Sequence, residues 1–158
     1  MTIRPLQRSE EPLLREFLYY AIHVPPGAAP PDRSVLQIPL VACYHEDWGR
    51  ADDVALVAEQ NGNAVGLAWL RQMTAENPGY GFLDGSTRSL SISVLPGHRG
   101  QGIGTRLLER LLPLADDHAV SLSVQKSNPA QRLYQRCGFM RIREDDSELV
   151  MRRGNPPG

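Results

Sequence analysis

The sequence predicts an α/β domain: a central mixed, mostly antiparallel sheet flanked by helices. Three observations carry that expectation. Leu90, Ile92 and Val94 alternate with Ser89, Ser91 and Ser93, and the turn Arg99-Gly100-Gln101-Gly102-Ile103-Gly104-Thr105 then leads into a stretch with one apolar helical stripe, Ile103, Leu107, Leu108, Leu111 and Leu112. Val54, Leu56 and Ala58 form a second alternating segment, turned by Asn61-Gly62-Asn63 into a third at 64–70, the pattern of a hairpin. Strand and helix patterns then follow one another to the end of the chain, which places helices on both sheet faces. A single domain over residues 1–153 accounts for all of this, with a frayed tail at 154–158.

In order, Thr2 to Leu6 is a short strand. Ser9-Glu10-Glu11-Pro12 opens a helix with a capping serine, early acids and proline in the first turn; it runs to about Ile22, with Leu13, Leu14, Phe17, Leu18 and Ala21 on its apolar face. Four prolines between Val24 and Pro31 exclude helix there. A second helix is expected over Pro39 to Glu46, before the hairpin. Met73 to Thr87, with Asn77-Pro78-Gly79 and Asp84-Gly85, is a long loop of the kind that often serves function. The helix after the glycine turn is expected to kink or tighten at Pro113. Val120 to Gln125 is the next strand, and its Ser121 and Ser123 repeat the serine row of the strand before. Such a row suits a polar, half-buried sheet face, or room for a ligand between the strands. Asn128 caps a helix with Pro129 at its first position, and Gly138 suits the left-handed residue that ends it. Met140 to Ile142 and Leu149 to Arg152 are short strands around the turn Asp145-Asp146-Ser147.

With 158 residues the chain is long enough for a substantial core. A net charge of -1, a pI near 6.4 and dispersed basic residues offer no broad attraction to nucleic acid or an anionic membrane. No apolar run approaches the roughly 18 residues of a membrane span. Cys43 and Cys137 fit no metal spacing, and no secretory signal stands at the N-terminus, so a cytoplasmic protein without a metal is expected.

The glycine turn carries the chemistry. Glycines admit positive φ and close approach of backbone to ligand, and a helix start leaves N–H groups without partners, so this turn suits a pyrophosphate. No lysine follows the last glycine, which excludes the P-loop. Thr105 stands where a dinucleotide fingerprint needs glycine, and no acidic residue ends the next strand, which excludes that reading too.

Arg99, Gly102 and Gly104, at the spacing Arg-x-x-Gly-x-Gly, resemble the acyl-CoA turn of the GNAT N-acetyltransferase family. A second match lies at 121–139: Leu122-Ser123-Val124, a polar gap, Asn128-Pro129-Ala130, then Leu133, Tyr134, Gly138 and Phe139. The resemblance implies a fold in which the strands at 90–95 and 120–125 splay and admit the pantetheine arm of acetyl-CoA. By position, Val94, Leu95 and Pro96 then hold the arm and acetyl carbonyl. The N–H groups of Arg99, Gly100, Gln101, Gly102, Ile103, Gly104 and Thr105 hold the pyrophosphate, Arg99 adds charge, and Asn128 hydrogen-bonds the arm.

It also implies an enzyme that moves an acetyl group to a primary amine of a small molecule or peptide, by direct attack in a ternary complex. Tyr134 would be the acid that protonates the leaving thiolate. Tyr19, Tyr20 and His23 would line the acceptor pocket, with Ser89 nearby. Many relatives carry glutamate where this chain has Ser89, so the base stays open among Glu76, Asp84, His23 and an ordered water. The alternative is a catalytically silent CoA-binding sensor or partner subunit. A homodimer is left open.

Overall fold

The computed structural model describes residues 1–154; the tail expected to fray lies, beyond Gly154, outside the described residues. Eleven elements were anticipated in type and order. They are β1 (Thr2–Pro5), α1 (Pro12–Ala21), α2 (Pro39–Ala42), β2 (Val54–Gln60), β3 (Asn63–Gln72), β4 (Arg88–Val94), α3 (Ile103–Leu111), β5 (Val120–Gln125), α4 (Gln131–Arg136), β6 (Met140–Glu144) and β7 (Glu148–Arg153). The seven strands form one sheet in the order β1-β2-β3-β4-β5-β7-β6, antiparallel at every pairing except β4 with β5. This is the single mixed, mostly antiparallel domain that the sequence predicts.

The period-two pattern sorts side chains to opposite faces. Leu56, Ala58, Ala68 and Leu70 pack under Ile103, Leu107, Leu108 and Leu111 of α3, whereas Val57, Leu67 and Trp69 pack under Leu14, Phe17 and Leu18 of α1. Two cores result, one on each face. The serine row of β4 looks toward α1, where Ser93 Oγ donates to the Phe17 carbonyl at 2.6 Å. That bond fixes the end of α1 over the middle of the sheet.

Three boundaries differ from expectation. Ser9 lies in a 3₁₀ turn, Arg8–Glu10, and the α-helix starts at Pro12. The second helix ends at Ala42 rather than Glu46, because the carbonyls of Cys43, Glu46 and Asp47 turn inward to accept from the buried Arg71 guanidinium. At Pro113 the helix tightens into a 3₁₀ turn, Leu112–Ala115, as expected from proline's missing N–H. The fourth helix begins at Gln131, not at Pro129: Asn128 Oδ1 accepts from the Ala130 N–H at 2.9 Å and closes a turn ahead of it. Its other end is as expected. Gly138 takes φ +92°, Phe139 N–H reaches the Tyr134 carbonyl and Gly138 N–H the Gln135 carbonyl, a Schellman closure.

Among the described residues, no helix is long and apolar enough to cross a membrane.

Candidate active site

β4 and β5 run parallel, but their ladder holds only two residue pairs, Arg88 with Val120 and Ser89 with Ser121. Beyond these the strands part, while β3 stays paired to β4 as far as Val94 and β7 to β5 as far as Gln125. The facing edges of Leu90 to Val94 and Leu122 to Gln125 therefore make no bonds to each other, an arrangement open to an extended chain entering as an added strand.

At the mouth of this gap lies the glycine turn. Gly102 takes φ +80°, and a side chain there would meet no neighbour, so its constraint is the left-handed backbone itself. Gly104 is constrained by packing, since an added Cβ would lie 3.2 Å from Leu133 Cδ2 of α4. The first backbone bond into α3 is Arg106 N–H to the Gly102 carbonyl. Among the described residues, the N–H groups of Gly100 to Thr105 have no acceptor. A row of free donors at a helix start fits a pyrophosphate.

A cleft of about 860 Å³ joins the turn to the gap and brings together most of the predicted residues: Tyr19, Tyr20, His23, Val94, Pro96, Arg99, Gly100, Gly102, Ile103, Gly104, Thr105, Asn128 and Tyr134. Three fall outside it. Leu95 packs toward the core under α1, Gln101 is exposed to solvent, and Ser89 is buried where β4 and β5 still pair. Ser89 thus touches neither this cleft nor the smaller one described below.

Arg99 is held by two backbone carbonyls. Its Nε donates to the Val94 carbonyl at 3.1 Å and a terminal nitrogen to the Tyr20 carbonyl at 3.3 Å. Both carbonyls stand at element ends, where backbone acceptors lack ladder or helix partners, and the guanidinium satisfies them. The Tyr19 hydroxyl donates to the Pro31 carbonyl at 2.7 Å, with Arg33 over its ring, so Tyr19 anchors the proline loop. Nε2 of His23 lies 3.1 Å from Ser127 Oγ and links the end of α1 to the loop after β5.

A second cleft, of about 270 Å³, opens between the parted strands, lined by Leu90, Ser91 and Ile92 of β4 and by Leu122 to Gln125 of β5. Ile22, His23, Ile92, Asn128 and Tyr134 line both clefts, so Tyr134 stands at their junction. Its ring is buried edge-on to Phe139, at 6.0 Å between centroids, held by the Schellman closure. Burial pushes its hydroxyl up to about 12, with a smaller contribution from Cys137. The hydroxyl stays protonated at neutral pH, which suits an acid.

Of the residues considered as bases, only His23 reaches either cleft. Glu76 is exposed on the long loop. Burial raises Asp84, but hydrogen bonds from Ser86 and Thr87 outweigh it and hold the carboxyl below its ordinary value, which makes Asp84 a turn-closing group. Sequence reading missed Tyr44, Tyr80 and Glu148, which line the second cleft from the turn after α2, the long loop and β7. The one signal was the long loop, of a kind that often serves function; Tyr44 and Glu148 carry no motif.

The sequence profile of the acetyltransferase (GNAT) family matches residues 19–139. The chain belongs to the GNAT acetyltransferase family. No curated protein sequence matches it. Among solved structures, the chain is similar to ribosomal-protein-alanine N-acetyltransferase from Brucella melitensis, with 23% identity, TM-score 0.69 and coverage of 98% of this chain and 100% of that one. It is similar to yncA, a putative acetyltransferase from Salmonella typhimurium solved with acetyl-CoA, at 22% identity, TM-score 0.68 and coverage of 100% and 95%. A spermidine N-acetyltransferase chimera of Vibrio cholerae SpeG and hSSAT matches at 19% identity, TM-score 0.62 and coverage of 97% and 96%. At these identities the likeness is one of fold.

Ser89 gives a test within this GNAT domain. Its Oγ is buried without a hydrogen-bond partner among the described residues. Removing such a group costs nothing in lost bonds. Ser89→Ala is expected to leave kcat/KM within a few-fold and to hold or slightly raise the thermal midpoint; a large loss of activity with acetyl-CoA binding intact would contradict the placement.

Proposed function

We propose that the chain is an acetyl-CoA-dependent N-acetyltransferase that moves an acetyl group to a primary amine of a small molecule or peptide. The observation that carries this reading is the parting of β4 from β5 after two residue pairs, with the unpaired N–H groups of Gly100 to Thr105 at its mouth.

Bound acetyl-CoA supplies a reactive thioester, which the amine attacks directly in a ternary complex. The edges of β4 and β5 hold the pantetheine arm, and the turn holds the pyrophosphate. Asn128 borders both clefts and stands within reach of the arm, although its side-chain oxygen is engaged by Ala130. Tyr134 keeps its proton at the junction of the two clefts and gives it to the departing sulfur. Neither cysteine serves as an acyl carrier: burial raises the Cys43 thiol and the Cys137 thiol, and a nucleophilic cysteine needs the opposite shift. The acceptor approaches the thioester from the end of the second cleft walled by Tyr44 and Tyr80, beyond the strand edges that hold the arm.

Gly102→Val forces a branched side chain into left-handed backbone beside the free donors. It is expected to abolish acetyl-CoA binding in calorimetry while circular dichroism stays native; undiminished binding by the folded variant would misplace the cradle.

Turnover tests the reading itself. Acetyl-CoA and a panel of amines should give CoA thiol and N-acetyl product in equal amounts, at rates on the order of 1–10³ s⁻¹ for a good acceptor. The alternative is a silent CoA sensor. Tight acetyl-CoA binding with no product from any amine would decide for it.

A further inference from the structure

We infer that Glu148 is the base of the transfer: its carboxylate takes the proton that the attacking amine sheds as nitrogen bonds to the acetyl carbon. The inference rests on the acetyl-transfer reading above and supplies the proton acceptor which that reading leaves unassigned.

Strand register puts Glu148 on the required face. Leu149 and Met151 of β7, like Leu122 and Val124 of β5, lie in the core under α3, so the alternate residues Glu148, Ser123 and Gln125 turn to the face that α1 covers. Glu148 stands opposite Gln125 in the β5–β7 ladder, and its N–H donates to Asp145 Oδ1 at 2.8 Å, which holds the backbone that carries it. From there it lines the second cleft, as Ser91, Ser123 and Tyr134 do. Among the described residues it is the only carboxylate that lines either cleft.

The path of the amine runs beside it. Tyr44 and Tyr80 wall the end by which the acceptor approaches, tied together by the Tyr80 N–H, which donates to the Tyr44 hydroxyl at 2.8 Å. Burial raises the Tyr80 hydroxyl and the nearby Glu148 charge adds to the rise, so the carboxylate stands at that same end. The other titratable groups of the cleft suit the role less. Burial pushes the Tyr44 and Tyr134 hydroxyls up to about 12, which makes both of them donors. Nε2 of His23 is engaged with Ser127 Oγ at 3.1 Å.

The carboxylate is free to act, having no hydrogen-bond or ion-pair partner among the described residues. Lys126 pairs with Glu144 at 3.0 Å, Arg143 donates to the Phe82 carbonyl at 3.5 Å, and Asp145 accepts from the N–H groups of Ser147 and Glu148. Burial raises the Glu148 carboxyl, and the Asp145 charge adds to the rise. A raised carboxyl holds a proton more firmly, which is the direction a base needs.

The proton count closes. The neutral amine bonds to the acetyl carbon and its nitrogen becomes positively charged; Glu148 takes one proton from it. The C–S bond breaks with its electron pair on sulfur, and Tyr134 protonates the thiolate. Glu148 then releases a proton to solvent and the Tyr134 phenolate regains one from it, so amine and acetyl-CoA give amide and CoA with no net proton.

Steady-state kinetics on the full chain, with an amine that it acetylates, provides the test. Glu148→Gln should lower kcat about 10²- to 10⁴-fold, with KM for the amine within a few-fold and acetyl-CoA affinity unchanged in calorimetry. Glu148→Ala should regain rate in proportion to added formate, which restores a carboxylate, and not with chloride. In the protein without acetyl-CoA, carboxyl ¹³C NMR should titrate Glu148 above the ordinary glutamate value. A folded Gln variant that keeps its kcat or changes only KM, an Ala variant that formate does not rescue, or a Glu148 carboxyl at or below the ordinary value would overturn the inference and leave acetyl transfer standing. Should no amine be acetylated, hydrolysis of bound acetyl-CoA by water decides the matter: a wild-type rate above that of Glu148→Gln supports the inference, and equal rates refute it.

Discussion

Tyr134→Phe is expected to lower kcat about 10²-fold or more with acetyl-CoA affinity nearly unchanged, the loss assigned to removing a general acid. The substitution is clean because the ring, not the hydroxyl, does the packing: it lies edge-on to Phe139 and is buried under α3. The hydroxyl has no partner among the described residues, so its removal strands nothing. Since burial holds that hydroxyl up to about 12, the rate of the wild-type protein should show no falling limb from Tyr134 below about pH 10. The rising limb of kcat/KM should instead move with the amine's own pKa across a series of acceptors, because the unprotonated amine is the nucleophile. Rapid-mixing kinetics that isolate the chemical step provide the check; an unchanged step in the Phe variant would reduce Tyr134 to a packing residue.

The largest effect on stability is expected at Arg71, which is 1% exposed. Its guanidinium makes two bonds of 3.0 Å to the Asp53 carboxylate and donates to the carbonyls of Cys43, Glu46 and Asp47. Asp53 in turn accepts from the Gly49 and Arg50 N–H groups, and the guanidinium stacks over Trp48. The whole connection from α2 to β2 is closed around this pair. Arg71→Met keeps much of the volume but leaves a buried carboxylate without its counter-charge and three carbonyls without their donor. Breaking a buried pair by removing one partner costs about 3–5 kcal/mol, a large part of the roughly 5–15 kcal/mol of a typical domain. Urea unfolding should show that loss at constant m-value; a change under about 1 kcal/mol would mean the connection is held by other contacts.

Arg71 also marks where the sequence stopped being legible. The sheet, the hairpin and α3 could be read because their apolar residues repeat at one period over many positions, and Gly102 and Gly104 sit at a spacing that few turns share. Arg71, by contrast, looks like the polar exit of a strand. Nothing local announces that it turns inward to meet carbonyls 25 and 28 residues earlier and so unwinds the end of the second helix. Asn128 misled in a smaller way: its side chain closes a turn of its own, and Pro129 enters that turn ahead of the helix. The CoA side of the site was readable as a motif, whereas the acceptor side was not. Tyr44, Tyr80 and Glu148 meet only because the long loop crosses β5, where Ser121 Oγ donates to the Gly81 carbonyl at 2.7 Å. Arg99 was recognised as part of the turn, but its contacts with the Val94 and Tyr20 carbonyls depend on where α1 ends.

The central claim is that acetyl-CoA enters between β4 and β5 with its pyrophosphate on the glycine turn. Backbone amide NMR during a titration with CoA addresses it most directly. The account predicts large shifts at Gly100 to Thr105, where the N–H groups are free, and along the facing edges of β4 and β5, with β1 and β2 unmoved. Saturable CoA binding that shifts amides elsewhere and leaves Gly100 to Thr105 in place would contradict it.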